Sequence, residues 1–106
     1  MKKIMKIMKL RHNFYVKYPE LGATHLHLLE RIGIHETDGK PLSVTAAMKL
    51  ADVASPATVH RMLDDLEAAG LVKKSFRGNN VRTKHLTLTM KSSKYFFKLD
   101  LHVVPA

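Results

Sequence analysis

The sequence has no cysteine and no tryptophan in its 106 residues. The absence of cysteine excludes disulfides and thiolate chemistry, and it favours a reducing cytoplasm as the compartment. No stretch is apolar for long enough to span a membrane. The first ten residues, MKKIMKIMKL, carry a lysine every two or three positions and lack the Trp or Phe of interfacial helices. We therefore expect neither a signal peptide nor a membrane-bound segment.

The motifs of enzymes and metalloproteins are missing as well. Seven histidines are present, but no His-x3-His pattern occurs, and His25 and His27 would diverge on a helix. Ser43 and Ser55 suit helix caps, and the sequence contains no nucleophile–base motif or glycine-rich phosphate loop. These observations predict a protein that is not an enzyme and has no metal or cofactor.

Acidic residues are missing from two long segments of the chain, 1–18 and 73–98, and its total charge is +9. Residues 1–18 contain six basic side chains and no acid, and residues 73–98 contain eight basic side chains and no acid. The segment between them, 19–72, has four basic and eight acidic residues, a net charge of −4. Two basic ends around an acidic middle are typical of a protein that binds a polyanion, most often nucleic acid. The alternative is that the basic ends are simply solvated.

A chain of this length suits one domain, and its middle predicts two helices before residue 55. ATHLHLLERIGIHE has Leu26, Leu29 and Ile32 at helical spacing on one face. PLSV suits a short extended entry to the next helix, SVTAAMKLADVA, which has Ser43 or Thr45 as its N-cap. That second helix should bury some combination of its apolar residues: Val44, Ala47, Met48 and Ala51.

The third helix has the clearest start in the sequence. Ser55 can cap the free amide groups, and Pro56 suits the first helical position because no hydrogen-bond partner is needed there. Gly70 should end the helix. The apolar side chains at helical spacing on one of its faces are Val59, Met62, Leu63 and Leu66.

A β-hairpin is predicted directly after this helix. LVKKSF and VRTKHLTLT suit two strands, and RGNN between them has the residues of a tight turn. Leu86 and Leu88 alternate with polar residues in the second strand, the pattern of a sheet with one buried face. The predicted order is therefore helix, short helix, capped helix and hairpin.

Both ends of the chain lie outside this predicted domain, which we place at residues 19–90. Residues 1–18 form a basic leader with apolar residues at helical spacing, and we expect a helix that takes part in a dimer interface. Residues 91–106 form an apolar tail, a second candidate for dimerisation. In the tail, KSSKYFFKL favours a helix, whereas FKLDLHVV alternates strictly and could equally be a strand. We predict a short helix followed by an extended tail.

Residues from Leu42 to Thr89 resemble a winged helix-turn-helix, and within that class the MarR (multiple antibiotic resistance regulator) family. The resemblance is carried by SPATVHRMLDDLEAAGLV in the recognition helix and by NVRTKHLTLT in the wing. In the family, an Asp-x-Arg near the wing tip precedes a Leu-Thr that ends the second wing strand. Here Arg82 and Leu88-Thr89 match these positions, and Asn80 replaces the aspartate.

This resemblance implies a mainly α fold with a small antiparallel β-hairpin. It also implies a transcriptional regulator that binds double-stranded DNA as a homodimer. The recognition helix would enter the major groove, and the basic wing would lie on the minor groove or the backbone. Dimerisation in the family uses helices at both ends of a chain usually longer than this one. The family's pocket for small aromatic effectors leaves a small-molecule effector open as a further partner.

The candidate DNA contacts follow from helix geometry. At ~100° per residue, Ala57 and Arg61 lie opposite the apolar face, near the helix end that enters the major groove. Arginine suits guanine O6 and N7, while alanine offers a methyl for thymine contact. Asp64 and Asp65 could instead hold Arg61 in a surface ion pair, but such a pair contributes only ~0.3–0.5 kcal/mol. The recognition-helix set is Ser55, Ala57, Thr58, His60 and Arg61, and the wing set is Lys74, Arg77, Asn79, Asn80, Arg82 and Lys84.

Two other functions of the same fold stay open at this point. A winged helix can be a protein-interaction or replication-assembly module, although interfaces between proteins tend to be depleted in lysine and this wing is rich in it. RNA binding is the other alternative. It is disfavoured because no stacking aromatics alternate with the basic residues of the hairpin, apart from Phe76.

Overall fold

Five helices and one two-stranded hairpin make up the described part of the chain. The computed structural model describes residues 2–103, and the side chains of these residues apart from 80–81 and 99–103. The elements are α1 (Lys2–Lys17), α2 (Ala23–Thr37), α3 (Val44–Met48), α4 (Pro56–Ala68), β1 (Val72–Arg77), β2 (Asn80–Leu88) and α5 (Met90–Val103). The predicted mainly α fold with a small antiparallel hairpin is confirmed.

The core lies where α2, α4 and the base of the hairpin meet. The predicted apolar faces are the buried ones, since Leu26, Leu29 and Ile32 of α2 are completely buried. The apolar face of α4 is buried against them, and Leu71 and Leu86 close the core from the hairpin side. Burying each large aliphatic side chain contributes about 1.5–3 kcal/mol, so this cluster fixes how α4 sits on the domain.

The predicted ends of α4 are confirmed. Ser55 precedes the helix in an extended conformation, and its Oγ accepts a hydrogen bond from the Thr58 amide at 3.4 Å. Pro56 occupies the first turn. Gly70 follows the helix with φ at 76°, a left-handed conformation in which a side chain would be strained. The recognition helix is therefore defined at both ends by local sequence.

The short helix α3 differs in length from the prediction. Ser43 is its cap, because the Ser43 Oγ accepts a hydrogen bond from the Ala46 amide at 3.0 Å. The helix ends at Met48, and Ala51 is exposed rather than buried. The turn after α3 is instead tied to α2, since Arg31 Nη1 donates to Asp52 Oδ2 at 2.5 Å.

The wing is anchored to the domain along one edge. β1 and β2 pair antiparallel from Val72↔Leu88 to Phe76↔Lys84, and the register shifts before Arg77. On the outer edge of β2, the Leu86 amide donates to Leu42 O at 2.7 Å. The Leu88 amide donates to Glu36 Oε1 at 2.8 Å. These bonds hold the base of the hairpin, so its tip projects from a fixed position.

The predicted extended tail is wrong within the described residues, because α5 is one continuous helix to Val103. Its start is held by Thr89 and Ser92, whose side chains exchange hydrogen bonds with each other's backbone amides. Ser92 Oγ also donates to Leu71 O at 2.7 Å inside the core. Tyr95 then packs on Phe14 of α1. This contact favours a helix here, although the sequence FKLDLHVV alternates as a strand does. Residues 104–106 lie outside the described part.

The basic leader is the helix α1, and Phe14 joins it to α5. The Phe14 side chain is only 4% exposed. Its ring centroid lies 5.0 Å from that of Tyr95 on α5 and 5.1 Å from that of Tyr18. Just past the end of α1, the Tyr18 ring lies 5.4 Å from Lys91 Nζ of α5. The two helices therefore run antiparallel and pack side by side.

Candidate nucleic-acid interface

The N-terminal half of α4 presents the predicted contact residues to solvent. Ala57, His60 and Arg61 are exposed, on the side of the helix opposite the buried face. Ser55 is exposed at the cap, and its Oγ donates to Thr58 Oγ1 at 2.9 Å. The recognition-helix set therefore lies around the N-terminal half of α4, where the positive end of the helix dipole favours negative charge.

The carboxylates that follow Arg61 are held by other residues. Asp64 Oδ1 lies 2.9 Å from Lys74 Nζ, and Asp65 Oδ2 lies 2.9 Å from His25 Nε2. Within the described part of the chain, the Arg61 guanidinium has no hydrogen bond or ion pair. The surface ion pair weighed against DNA contact by Arg61 is thus not formed, and the guanidinium points into solvent.

His25 is a residue of this site that the sequence did not reveal. The Gly22 amide donates to His25 Nδ1 at 3.1 Å, so Nδ1 is the unprotonated nitrogen. The proton then lies on Nε2, which donates to Asp65 Oδ2 at 2.9 Å. The side chain is 15% exposed and links the start of α2 to the recognition helix. In the sequence, the only local sign of this role is that His25 comes three residues after Gly22, the glycine that caps α2.

Lys74 differs from the other predicted wing contacts in being paired with two carboxylates. Its Nζ donates to Asp64 Oδ1 at 2.9 Å and lies 3.4 Å from Glu67 Oε1, and its side chain is only 14% exposed. The hydrogen bond from Lys74 lowers the pKa of Asp64, and the same bond raises the pKa of Lys74. This lysine therefore neutralises the acidic half of α4 and ties β1 to it, rather than standing at the surface with the wing cations.

The remaining wing residues lie on the exposed part of the hairpin. Arg77, Asn79, Arg82 and Lys84 are exposed, and the side chain of Asn80 lies outside the described set. Lys84 Nζ sits 5.8 Å above the Phe76 ring. A single groove between α3, α4 and the wing is lined by Val44, Thr45, His60, Lys74, Phe76, Arg82, Thr83 and Lys84. The fold thus brings residues of both predicted sets to the walls of one groove.

A separate cavity of about 620 Å³ lies between α2, the end of β2 and α5. Its lining includes the apolar side chains Ile34, Leu88 and Phe96, with Glu30 and Asp38 at its rim. Its volume falls in the range of small-molecule sites. The described structure thus contains a mostly apolar cavity of a size that suits a small molecule.

The described residues provide little for other kinds of site. In residues 2–103 no three His, Cys, Asp or Glu side chains come close enough to hold a metal ion. Over the same residues, every helix is too short or too polar to cross a bilayer. The described surface is thus distinguished mainly by its exposed cations and by the groove.

A helix, a short helix, a capped recognition helix and an anchored two-stranded wing define a winged helix-turn-helix. Solved structures with the same fold include a protein–DNA complex and a MarR family member. The chain is similar to the S. aureus MepR–DNA complex with a TM-score of 0.66 and 21% identity, covering 95% of this chain and 79% of that one. It is also similar to Lactococcus lactis ZitR, a zinc-responsive MarR family member, with a TM-score of 0.57, 23% identity and coverage of 77% and 53%.

A third similar structure is RV1404 from Mycobacterium tuberculosis, with a TM-score of 0.66 and 16% identity. The match covers 86% of this chain and 58% of RV1404, so the chain spans little more than half of that protein. No family model matches the sequence, and no curated protein matches it significantly. The expected resemblance to MarR-family regulators is confirmed at the level of the fold.

Proposed function

We propose that the protein binds duplex DNA in a sequence-specific manner and regulates transcription. In this proposal the first turn and a half of α4 enters the major groove, and Arg61 reads a guanine. Ser55, Thr58 and the helix N-terminus hold a phosphate. The wing cations lie on the backbone or in the minor groove, where arginine is attracted to narrow A/T-rich segments. Lys74 borders the groove between α3, α4 and the wing, where it is paired with two carboxylates of α4.

The observation that carries the proposal is the state of Arg61. The side chain is exposed at the N-terminal half of α4, and both carboxylates within reach of it along the helix are bound elsewhere. Freeing an arginine next to two aspartates has no evident benefit for the fold. It does suit a side chain whose planar fork must be available for a base edge.

Two substitutions of Arg61 test its role. Arg61→Ala should reduce discrimination between a cognate and a scrambled duplex by roughly 1–3 kcal/mol, because a bidentate contact is lost. Arg61→Lys keeps the charge but not the fork, so it should lose most of the same discrimination while the salt dependence stays unchanged. Affinities measured by fluorescence anisotropy would show this. If Arg61→Lys discriminates as the parent does, the arginine does not read a base.

We also propose that the protein acts as a homodimer, formed through α1 and α5. The two helices pack side by side, and both expose large apolar side chains. On α1 these are Ile4, Met5, Met8 and Val16, and on α5 they are Met90 and Phe97. Apolar side chains grouped on adjacent helices mark an interaction surface more often than isolated ones do. A second copy covering them would place two recognition helices on one pseudo-palindromic site.

A charge placed on this surface should separate the subunits. Met8→Glu combined with Phe97→Glu should give a monomer in sedimentation, because two carboxylates would be buried without partners. The matched control is Phe76→Glu, which changes an aromatic residue of similar exposure on the wing and should leave the association state unchanged. A double variant that sediments as the parent does would place any dimer interface elsewhere.

A further inference from the structure

Four lysines surround a cavity that the DNA-binding proposal does not use. The cavity has a volume of about 360 Å³ and lies between α1, α5 and the start of β1. Its floor includes Phe14 and Leu71, which are nearly fully buried. We call it the lysine pocket, after the side chains at its rim: Lys17, Lys91, Lys94 and Lys98.

The lysine pocket has no negative charge of its own. Its lining contains no Asp or Glu, and within the described residues none of its lysines forms an ion pair. Lys17 and Lys91 lie 5.7 and 5.4 Å from the centroid of the same Tyr18 ring, so two ammonium groups contact one aromatic side chain. Like charges gathered in this way repel each other, and an anion that binds among them removes the repulsion.

The position of the pocket separates it from the proposed DNA interface. Lys91 Nζ donates to Ala69 O at 3.0 Å, at the C-terminal end of α4. Arg61 is eight residues earlier, about 12 Å along the helix at 1.5 Å per residue. A duplex that holds the N-terminal half of α4 in its groove therefore lies at the other end of this helix.

We propose that the lysine pocket is a second anion site, which binds a small molecule with two or more negative charges, such as a phosphate ester. The volume suits a ligand of metabolite size. Lysine ammonium groups bind phosphate oxygens by charge-assisted hydrogen bonds, and the apolar floor can take an uncharged part of the same molecule. Lys91, Lys94 and Lys98 recur at helical spacing on one face of α5, which aims their charges at one ligand.

Calorimetric titration of the full chain with inorganic pyrophosphate, in the absence of DNA and at constant ionic strength, tests this directly. Binding should be saturable with one site per chain. Lys94→Gln should weaken it about tenfold or more, because a charge-assisted hydrogen bond is lost. Lys40→Gln, an exposed lysine outside the pocket, is the matched control and should bind as the parent does. No saturable binding, or equal binding by Lys94→Gln, would overturn the proposal.

The same variants distinguish a small anion from DNA phosphate. The double variant Lys17→Gln, Lys94→Gln should keep the salt dependence of DNA binding, because these lysines do not contact the duplex. If the slope of log K against log salt becomes shallower by about 1 for each lysine removed, the pocket belongs to the DNA footprint and the proposal fails. Pyrophosphate binding is measured without DNA, so its outcome does not depend on the proposed regulatory function.

Discussion

Raising the salt concentration from about 50 to about 200 mM should weaken DNA binding by this protein at least about fortyfold. The wing has four exposed cations, and the three nearest its tip, Arg77, Arg82 and Lys84, are the ones proposed to contact the phosphate backbone. Each neutralised phosphate contributes about −0.9 to the slope of log K against log salt, so one chain gives about −2.7. A homodimer doubles the slope to about −5.4, and the loss over the same range becomes about a thousandfold or more. The slope therefore depends on the number of bound chains as well as on the number of phosphates that each chain neutralises.

Anisotropy titrations with a short labelled duplex at four salt concentrations would measure this slope. Arg77→Gln should make it shallower by about 0.9 per chain, and the control Lys40→Gln should leave it unchanged. A flat response would contradict DNA binding through the wing. If the slope is steep for the parent and equally steep for Arg77→Gln, other cations make the phosphate contacts.

Replacing Phe14 by alanine should destabilise the fold by about 3–5 kcal/mol, since a buried aromatic side chain is lost and a cavity remains. Phe14 is 4% exposed and contacts three other rings, among them Tyr95 on α5. Burial of Tyr95 raises the pKa of its hydroxyl to about 12, so this ring stays neutral well into the alkaline range. Without Phe14, α1 loses the residue that docks it on α5.

Thermal and denaturant unfolding of Phe14→Ala would measure the loss. Phe76→Ala is the matched control, because Phe76 is 48% exposed and its removal should cost no more than about 0.5 kcal/mol. If Phe14→Ala unfolds as the parent does, α1 is not docked on α5. The dimer surface proposed on these two helices would then lose its basis.

The recognition helix could be predicted because its determinants are local. Ser55, Pro56 and Gly70 mark its ends within sixteen residues, and the apolar spacing between them selects the buried face. A capped start and a left-handed glycine act whatever the rest of the chain does. The same is true of the hairpin, whose alternating Leu86 and Leu88 face the domain as expected.

The end of the chain was predicted wrongly because its determinants are distant. FKLDLHVV alternates as a strand does, but a strand there would need a partner with free backbone groups. The helix α5 is instead fixed by the bond from Ser92 Oγ to Leu71 O and by the contact of Tyr95 with Phe14. Both partners are more than twenty residues away in sequence, and spacing alone cannot reveal them.

The same limit applies to the candidate site. Arg61 could be chosen from its angle on the helix, but its two neighbouring aspartates suggested an ion pair that is not formed. Their actual partners, Lys74 and His25, come from β1 and α2. Lys74 belongs to a run of basic residues that leads to the wing tip, and the sequence around it therefore suggested a DNA contact. Only the packing of β1 against α4 shows that its charge is used inside the domain.

The hydrogen bonds along the outer edge of β2 also bear on aggregation. A two-stranded hairpin normally leaves unpaired amides at its edges, and such an edge can template the addition of strands from other molecules. Here the outward amides of Leu86 and Leu88 are already bound to Leu42 O and Glu36 Oε1. Nearer the tip, exposed cations occupy the strand and repel a second copy. The outer edge of β2 can therefore remain apolar at its base without becoming a site where strands of other molecules add.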